Sequence, residues 1–360
     1  MPPAPRHALA LASLLAFCLM SSPALAAPPS EASPAPQASP APLPESPSLS
    51  LTDTYSPVAL GTIGLLFPTS AAITVFGGYF FDAPVPAMGS PTPGSLDYRV
   101  AENFHGDLET GAPLLGGIPD HGGYALSALP VLYYGLGSAW KGITGRDLYP
   151  WQGPYHHQST FAYLETFTWT ALLTNAAKFF VGRARPYVAL NRRSYGWHGG
   201  EDYLSFWSGH ASLSFAAATF MARDISDGLY HRVLANAEPL PRFMLGRALP
   251  YTVLYGAAST VAVSRLYDQK HFVSDVVIGA AVGTLLATLV YNARFDARGI
   301  PRTRPGVALD IAPSAEPAPV PPEPLSRTTP TRSSPAASAP FAIHNRFRIL
   351  PGQQLKLALP

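Results

Sequence analysis

Six apolar segments of helical length, at 58–81, 124–140, 161–181, 204–222, 249–264 and 272–291, decide what this chain can fold into. They are rich in Ala, Leu and Phe and too long for single strands, so length and composition predict helices. Packed side by side they form an all-α helical bundle, and the folded part is expected over about 51–300. The last segment, HFVSDVVIGAAVGTLLATLVY, carries Gly279 and Gly283 on one face, a spacing that lets a second helix approach closely. Its alternative is two glycines that the helix merely tolerates.

The flanks are of another kind. The chain of 360 residues has 40 prolines, too many for one that is folded throughout. Residues 27–50 hold 8 prolines in 24 positions and read as a disordered Pro/Ala/Ser linker. A second disordered linker is expected over 301–340, where 312–340 alone has 9 prolines in 29 positions. Residues 341–360 alternate like a strand and carry no assigned role. At the start, Arg6 and His7 precede the apolar run ALALASLLAFCLM, then small residues at Ala24 and Ala26. This predicts a signal peptide over 1–26 that is cleaved after Ala26. The alternative is an uncleaved anchor, but the run is short for a span. Cys18, the sole cysteine, falls inside it, so the mature chain would have neither disulfides nor cysteine-held metals.

A net charge of +2 with no long basic stripe argues against a nucleic-acid partner. Membrane insertion stays open on composition, because a soluble helical core is as apolar as a helix in lipid. Glu165, Asn175 and Lys178 in the third segment are costly at a bilayer centre. Side-counting adds a constraint. If the mature N-terminus lies outside and the first three segments all cross, the loop after Lys178 is cytoplasmic. An external site requires that only one of the first two segments crosses, or that none does.

Three short stretches carry the chemistry: KFFVGRARP (178–186), SGH (208–210) and SRLYDQKHFVSD (264–275). Lys178, Arg185 and Arg265 supply fixed positive charge of the kind that holds phosphoryl oxygens. Each taken alone reads equally as a solvated helix-end charge, and Arg183 in GRARP reads as exposed. His271 and Asp275 are i,i+4 and would share a helix face. A carboxylate there can hold one ring nitrogen and leave the other free to attack phosphorus; the alternative is a helix cap with a satisfied polar pair. In SGH, Ser208 offers a hydroxyl to phosphate and Gly209 lets its amide approach an oxygen; the alternative is an N-cap serine beside a satisfied histidine. His156 and His157 read as loop histidines, PDHGG at 119–123 as a turn, and Trp197, His198 and Glu201 as candidates for a substrate mouth. The acidic residues show no metal-site spacing, and the histidine chemistry needs no metal.

These stretches resemble the signature of the type 2 phosphatidic acid phosphatases, a superfamily that includes bacterial class A acid phosphatases and vanadium haloperoxidases. Lys178, six residues and Arg185-Pro186 match its first part. Ser208-Gly209-His210 match the second, with Trp207 where proline is usual. Ser264-Arg265, five residues, His271, three residues and Asp275 match the third without a gap. The resemblance covers roughly 120–290. It implies that His271, oriented by Asp275, attacks phosphorus and that His210 is the acid and base. Lys178, Arg185, Ser208, Gly209 and Arg265 would bind phosphate. The implied protein is a metal-independent phosphatase without a cofactor, exported to the bacterial cell envelope. Its substrate would be a phosphorylated small molecule, a phospholipid or a polyprenyl phosphate. Two alternatives stand beside it: a haloperoxidase, which would need vanadate in the same pocket, and a non-catalytic envelope binding protein.

Overall fold

The computed structural model describes residues 49–80, 91–107, 114–151, 154–192 and 199–304. The expected signal peptide, and the proline-rich stretches before residue 49 and after residue 304, lie outside the described residues. Among those described there is no β-sheet, only one isolated bridge between Phe295 and Pro301.

The bundle is built from α1 (Leu51–Thr54), α2 (Pro57–Phe80), α3 (Leu96–Asn103), α4 (Ile118–Thr144), α5 (His156–Val181), α6 (Pro186–Ala189), α7 (Gly209–Gly228), α8 (Pro239–Phe243), α9 (Leu249–Tyr267) and α10 (Val273–Arg294). The six long helices fall on the six apolar segments. The fourth starts later than its segment, because residues 204–208 form the loop that ends at the Ser208 cap. One turn read from composition is a correction. PDHGG is the opening of α4 and not a loop, with the left-handed Gly117 (φ 84°) immediately before it.

α7 is the axis of the bundle, with 17 of its 20 residues buried. Its Ala, Ser and Gly side chains are short, so neighbouring helices can come close to its backbone. α10 lies against it through Gly279 and Gly283. A Cβ on Gly283 would sit 2.0 Å from the Ser212 carbonyl oxygen, and one on Gly279 2.7 Å from that of Ser208. The two glycines are therefore required by contact. Toward the other end of α7, Phe220 is ringed edge-on by Tyr134, Tyr163 and Tyr291 at 5.4–6.2 Å between centroids.

Helix direction decides where the site forms. α2 and α5 run parallel, since Phe67 meets Phe167 and Thr74 meets Asn175. α4 runs against α5, and the Tyr163 hydroxyl donates to the Ser127 carbonyl. The N-termini of α4, α7 and α10 thus gather with the C-termini of α5 and α9. At the opposite end Glu165 accepts both arms of Arg294 at 2.9 Å. That pairing offsets the cost of a carboxylate on an otherwise apolar helix.

Two stretches, Pro57–Phe76 in α2 and Val273–Arg294 in α10, are long and apolar enough to cross a membrane by length and composition. Val58 and Leu65 of α2, Leu132 and Leu136 of α4, and Leu285 and Leu289 of α10 all stand exposed on the flanks. Gly283→Ala should lower stability by about 1–3 kcal/mol, the usual cost of overpacking, because α10 must shift off α7. Thermal or denaturant unfolding of the purified protein checks this; an unchanged midpoint would refute the close approach.

Candidate active site

The three motifs meet at the gathered helix ends, around a cavity of about 440 Å³. Lys178 stands in the last turn of α5, which Gly182 closes in the left-handed conformation (φ 55°). Arg185 caps α6, and Arg265 stands in the last turn of α9. Lys178, Arg185, Gly209, His210, Arg265 and His271 all line the cavity. A Cβ on Gly209 would lie 3.5 Å from the Lys178 ammonium, so the missing side chain leaves the cation against the start of α7. Burial, and then the Arg185 charge, lower the Lys178 pKa to about 8. Arg265 is buried, with Asp268 at 3.4 Å, and Arg185 pairs with the half-exposed Glu201 at 3.2 Å.

His271 differs from the spacing-based expectation. It precedes α10, so the i,i+4 argument does not apply. Its Nδ1 lies 2.7 Å from the Ser205 carbonyl oxygen. A carbonyl only accepts, so Nδ1 carries the hydrogen and Nε2 keeps its lone pair. The backbone does what had been expected of Asp275. The Asp275 carboxylate instead accepts from Arg183 Nη1 at 2.5 Å, from Ser205 Oγ at 2.6 Å and from the Phe272 amide at 2.9 Å. It is the N-terminal cap partner of α10 and reaches His271 only through Ser205. Burial and the neighbouring Arg185, Lys178 and Arg265 charges hold the His271 ring well below its ordinary pKa.

Ser208 is also turned away from the cavity wall. Its hydroxyl accepts from the Ala211 amide at 3.3 Å as the N-cap of α7, and its own amide donates to the Asp275 carbonyl at 3.1 Å. The amides of Gly209 and His210 fall in the first turn beyond that cap, where a helix has N–H groups without intrahelical acceptors. Trp207, at the position where proline is usual, donates from Nε1 to Thr174 Oγ1 at 2.8 Å and so ties the loop to α5.

His210 packs edge-on to Tyr124, centroids 4.9 Å apart, and Gly123 makes room for it, since a Cβ there would lie 2.5 Å from the ring. Burial, then Lys178 and Arg185, lower its pKa to about 4. Lys270 and Glu201 also line the cavity. Glu201 was a candidate for the substrate mouth; Lys270 was not among the expected residues, and only its position beside His271 hinted at it. Trp197 and His198 lie outside the described residues.

Arg183 corrects another expectation. It is buried and not exposed, 5% accessible. Besides Asp275 it donates to Ser274 Oγ and to Asp97 of α3, both at 2.8 Å, and it stacks over Phe272 at 4.5 Å. One guanidinium thereby joins the first motif, the third motif and α3. His156 is likewise not a loop residue: it opens α5, buried, 3.2 Å from Asp147. Arg183→Met should cost about 3–5 kcal/mol, because it leaves a buried carboxylate without its cation. Denaturant unfolding reads this directly, and a loss below about 1 kcal/mol, the range of an exposed pair, would refute the clamp.

Comparison with known proteins adds a second line. The family pattern described as the PAP2 superfamily matches residues 159–298. The chain is 32% identical over 120 residues to a lipid A 1-phosphatase of Porphyromonas gingivalis, covering 33% of this chain and 20% of that protein. It is 30% identical over 152 residues to lipid phosphate phosphatase 1 of Arabidopsis thaliana, covering 38% and 44%. A PA-phosphatase related-family protein of Dictyostelium discoideum is 29% identical over 141 residues, covering 39% and 50%. The chain thus spans half or less of the length of these curated relatives. No solved structure matches it. With the three motifs inside residues 159–298 and their side chains converging at one end of a helical bundle, this part of the chain carries the pattern of the PAP2 superfamily.

Proposed function

We propose that the cavity is the active site of a phosphatase that works through a phosphohistidine. One observation carries the reading: the Ser205 carbonyl fixes the hydrogen of His271 on Nδ1, which keeps Nε2 nucleophilic beside three cations. Lys178, Arg185, Arg265 and the Gly209 amide bind the non-bridging oxygens and oppose the charge that gathers on them in the transition state. Nε2 attacks phosphorus, a P–N bond forms and the bond to the leaving oxygen breaks. His210 gives that oxygen its proton. Neutral His210 then takes a proton from water, the water oxygen attacks phosphorus, and the P–N electron pair returns to Nε2 as orthophosphate leaves. Asp275 and Ser208 act as positioning residues, the first through Ser205 and the second through the α7 cap.

The depressed histidines fit this division. His271 must be neutral to attack, and its surroundings keep it so. His210 must be protonated to act first, and the negative charge of a bound phosphate raises its affinity for a proton. The relatives' names, lipid A 1-phosphatase and lipid phosphate phosphatase, favour a lipid phosphate as substrate. We assign catalysis to a helical domain over 51–300 that is exported to the cell envelope, with 27–50 and 301–340 as tethers and 341–360 unassigned. Membrane association through the apolar flanks of α2 and α10 fits a lipid substrate.

His271→Ala should lower phosphate release from para-nitrophenyl phosphate roughly a thousandfold or more, as loss of a covalent nucleophile does. It should also abolish a phosphoenzyme trapped by rapid quench. Unchanged release would sink the mechanism, and bromide oxidation by vanadate-loaded protein without phosphate release would replace it with the haloperoxidase chemistry. A second test uses pH. Lys178 is cationic below a pKa of about 8 and neutral above it. Phosphate binding needs the cation, so the Kd for orthophosphate should rise as pH passes about 8, approaching tenfold per unit. A profile flat to pH 9.5 would remove Lys178 from phosphate binding.

A further inference from the structure

A second, small space of about 40 Å³ adjoins the catalytic cavity between α2 and α5, with Thr74, Asn175, Lys178, Arg185 and Glu201 lining both. That space in turn shares Ile73, Asn175 and Phe179 with a third hollow of about 310 Å³, completed by Leu172 and Ala176. Asn175 borders all three. Its Nδ2 donates to Thr74 Oγ1 at 3.0 Å, and this pair forms the neck of the passage.

Polarity changes along this path. The inner end carries Lys178 and Arg185; the outer end is Ile73, Leu172, Ala176 and Phe179. Outside it Val75, Phe76 and Phe180 are exposed, so the apolar character continues onto the flank. A ligand that satisfies both ends has an anionic phosphate head and a long hydrocarbon chain. A larger groove of about 850 Å³ between α9 and α10 is also apolar, but it shares no lining residue with the catalytic cavity. That groove therefore does not adjoin the bound phosphate as the α2–α5 hollows do.

We propose that the seam between α2 and α5 is where the hydrocarbon tail of the substrate leaves the active site, sideways toward the membrane, with Asn175 and Thr74 at its neck. This rests on the phosphatase reading and narrows it to lipid phosphates whose tail lies in the seam during turnover. Acyl and prenyl chains share this chemistry, and the assay separates them.

The test compares kcat/KM for lysophosphatidic acid, farnesyl phosphate and para-nitrophenyl phosphate in the full-length protein. Ile73→Trp and Ala176→Trp fill the outer hollow. The ratio of lipid to para-nitrophenyl phosphate turnover should fall about tenfold or more in both, the scale on which a pocket discriminates by shape. Leu289→Trp on the α10 flank should leave that ratio within about twofold, as for a surface change away from any site. If only one lipid loses turnover, that chain type is the occupant. An unchanged ratio for both lipids in the seam variants would overturn the proposal, as would an equal fall in Leu289→Trp. Should the seam variants not fold, a long-chain alkyl phosphate with a diazirine at the chain end decides on wild-type protein. Labelling within 57–80 or 156–181 is expected, and labelling confined to 249–294 would overturn the seam. Wild-type protein that releases phosphate from none of the substrates would instead refute the phosphatase reading itself.

Discussion

A single buried carboxylate governs the catalytic end of this bundle. Asp275 is fully buried, and a charge in that position is tolerated only when its oxygens are filled. Arg183, Ser205 and the Phe272 amide fill them. Each partner has a second task. Arg183 draws in α3 through Asp97, Ser205 presents its carbonyl to His271, and Phe272 sets the start of α10. The backbone of Asp275 also receives the Ser208 amide, so the α7 cap hangs on the same residue. His271, the start of α7 and α3 are thereby satisfied together. A defect in any one would be felt by the rest, as coupled polar networks are.

Much of this was legible in the chain itself. The six long helices announce themselves as apolar runs of the right length, and the motif spacings bring six of the eight expected site residues to one cavity wall. The two that stand off, Ser208 and Asp275, show where spacing stops being informative. An i,i+4 pair shares a face only if both residues are helical, and α10 begins two residues after His271. Arg183 gave no local signal of burial, since its acidic partners lie 86 and 92 residues away. PDHGG reads as a turn because glycine is a turn residue, yet Gly123 is inside a helix to make room for the His210 ring. For His271, Arg183 and Gly123 the deciding partner is distant in sequence, which local pattern does not encode.

The family match begins at residue 159, in the first turns of α5. All three motifs, with His271 and the cations of the cavity, lie within it. The parts that surround the chemistry lie before it: α2 forms one wall of the seam, α3 holds Arg183, and the opening of α4 shapes the space around His210. The division separates the family's shared motifs from the segments that wall and brace their cavity.

The crowding of Lys178, Arg185, Arg265 and Lys270 around one cavity has a thermodynamic side. Like charges held together in a buried space repel, and repulsion from the Arg185 charge adds to burial in depressing Lys178. Any small oxyanion relieves it, and whatever binds only the folded form stabilises it. In the proposed reaction orthophosphate is therefore a ligand for the fold as well as a product. On that reading, the features that draw a substrate in also retain what remains of it, so the electrostatics proposed to assist catalysis slow the emptying of the site.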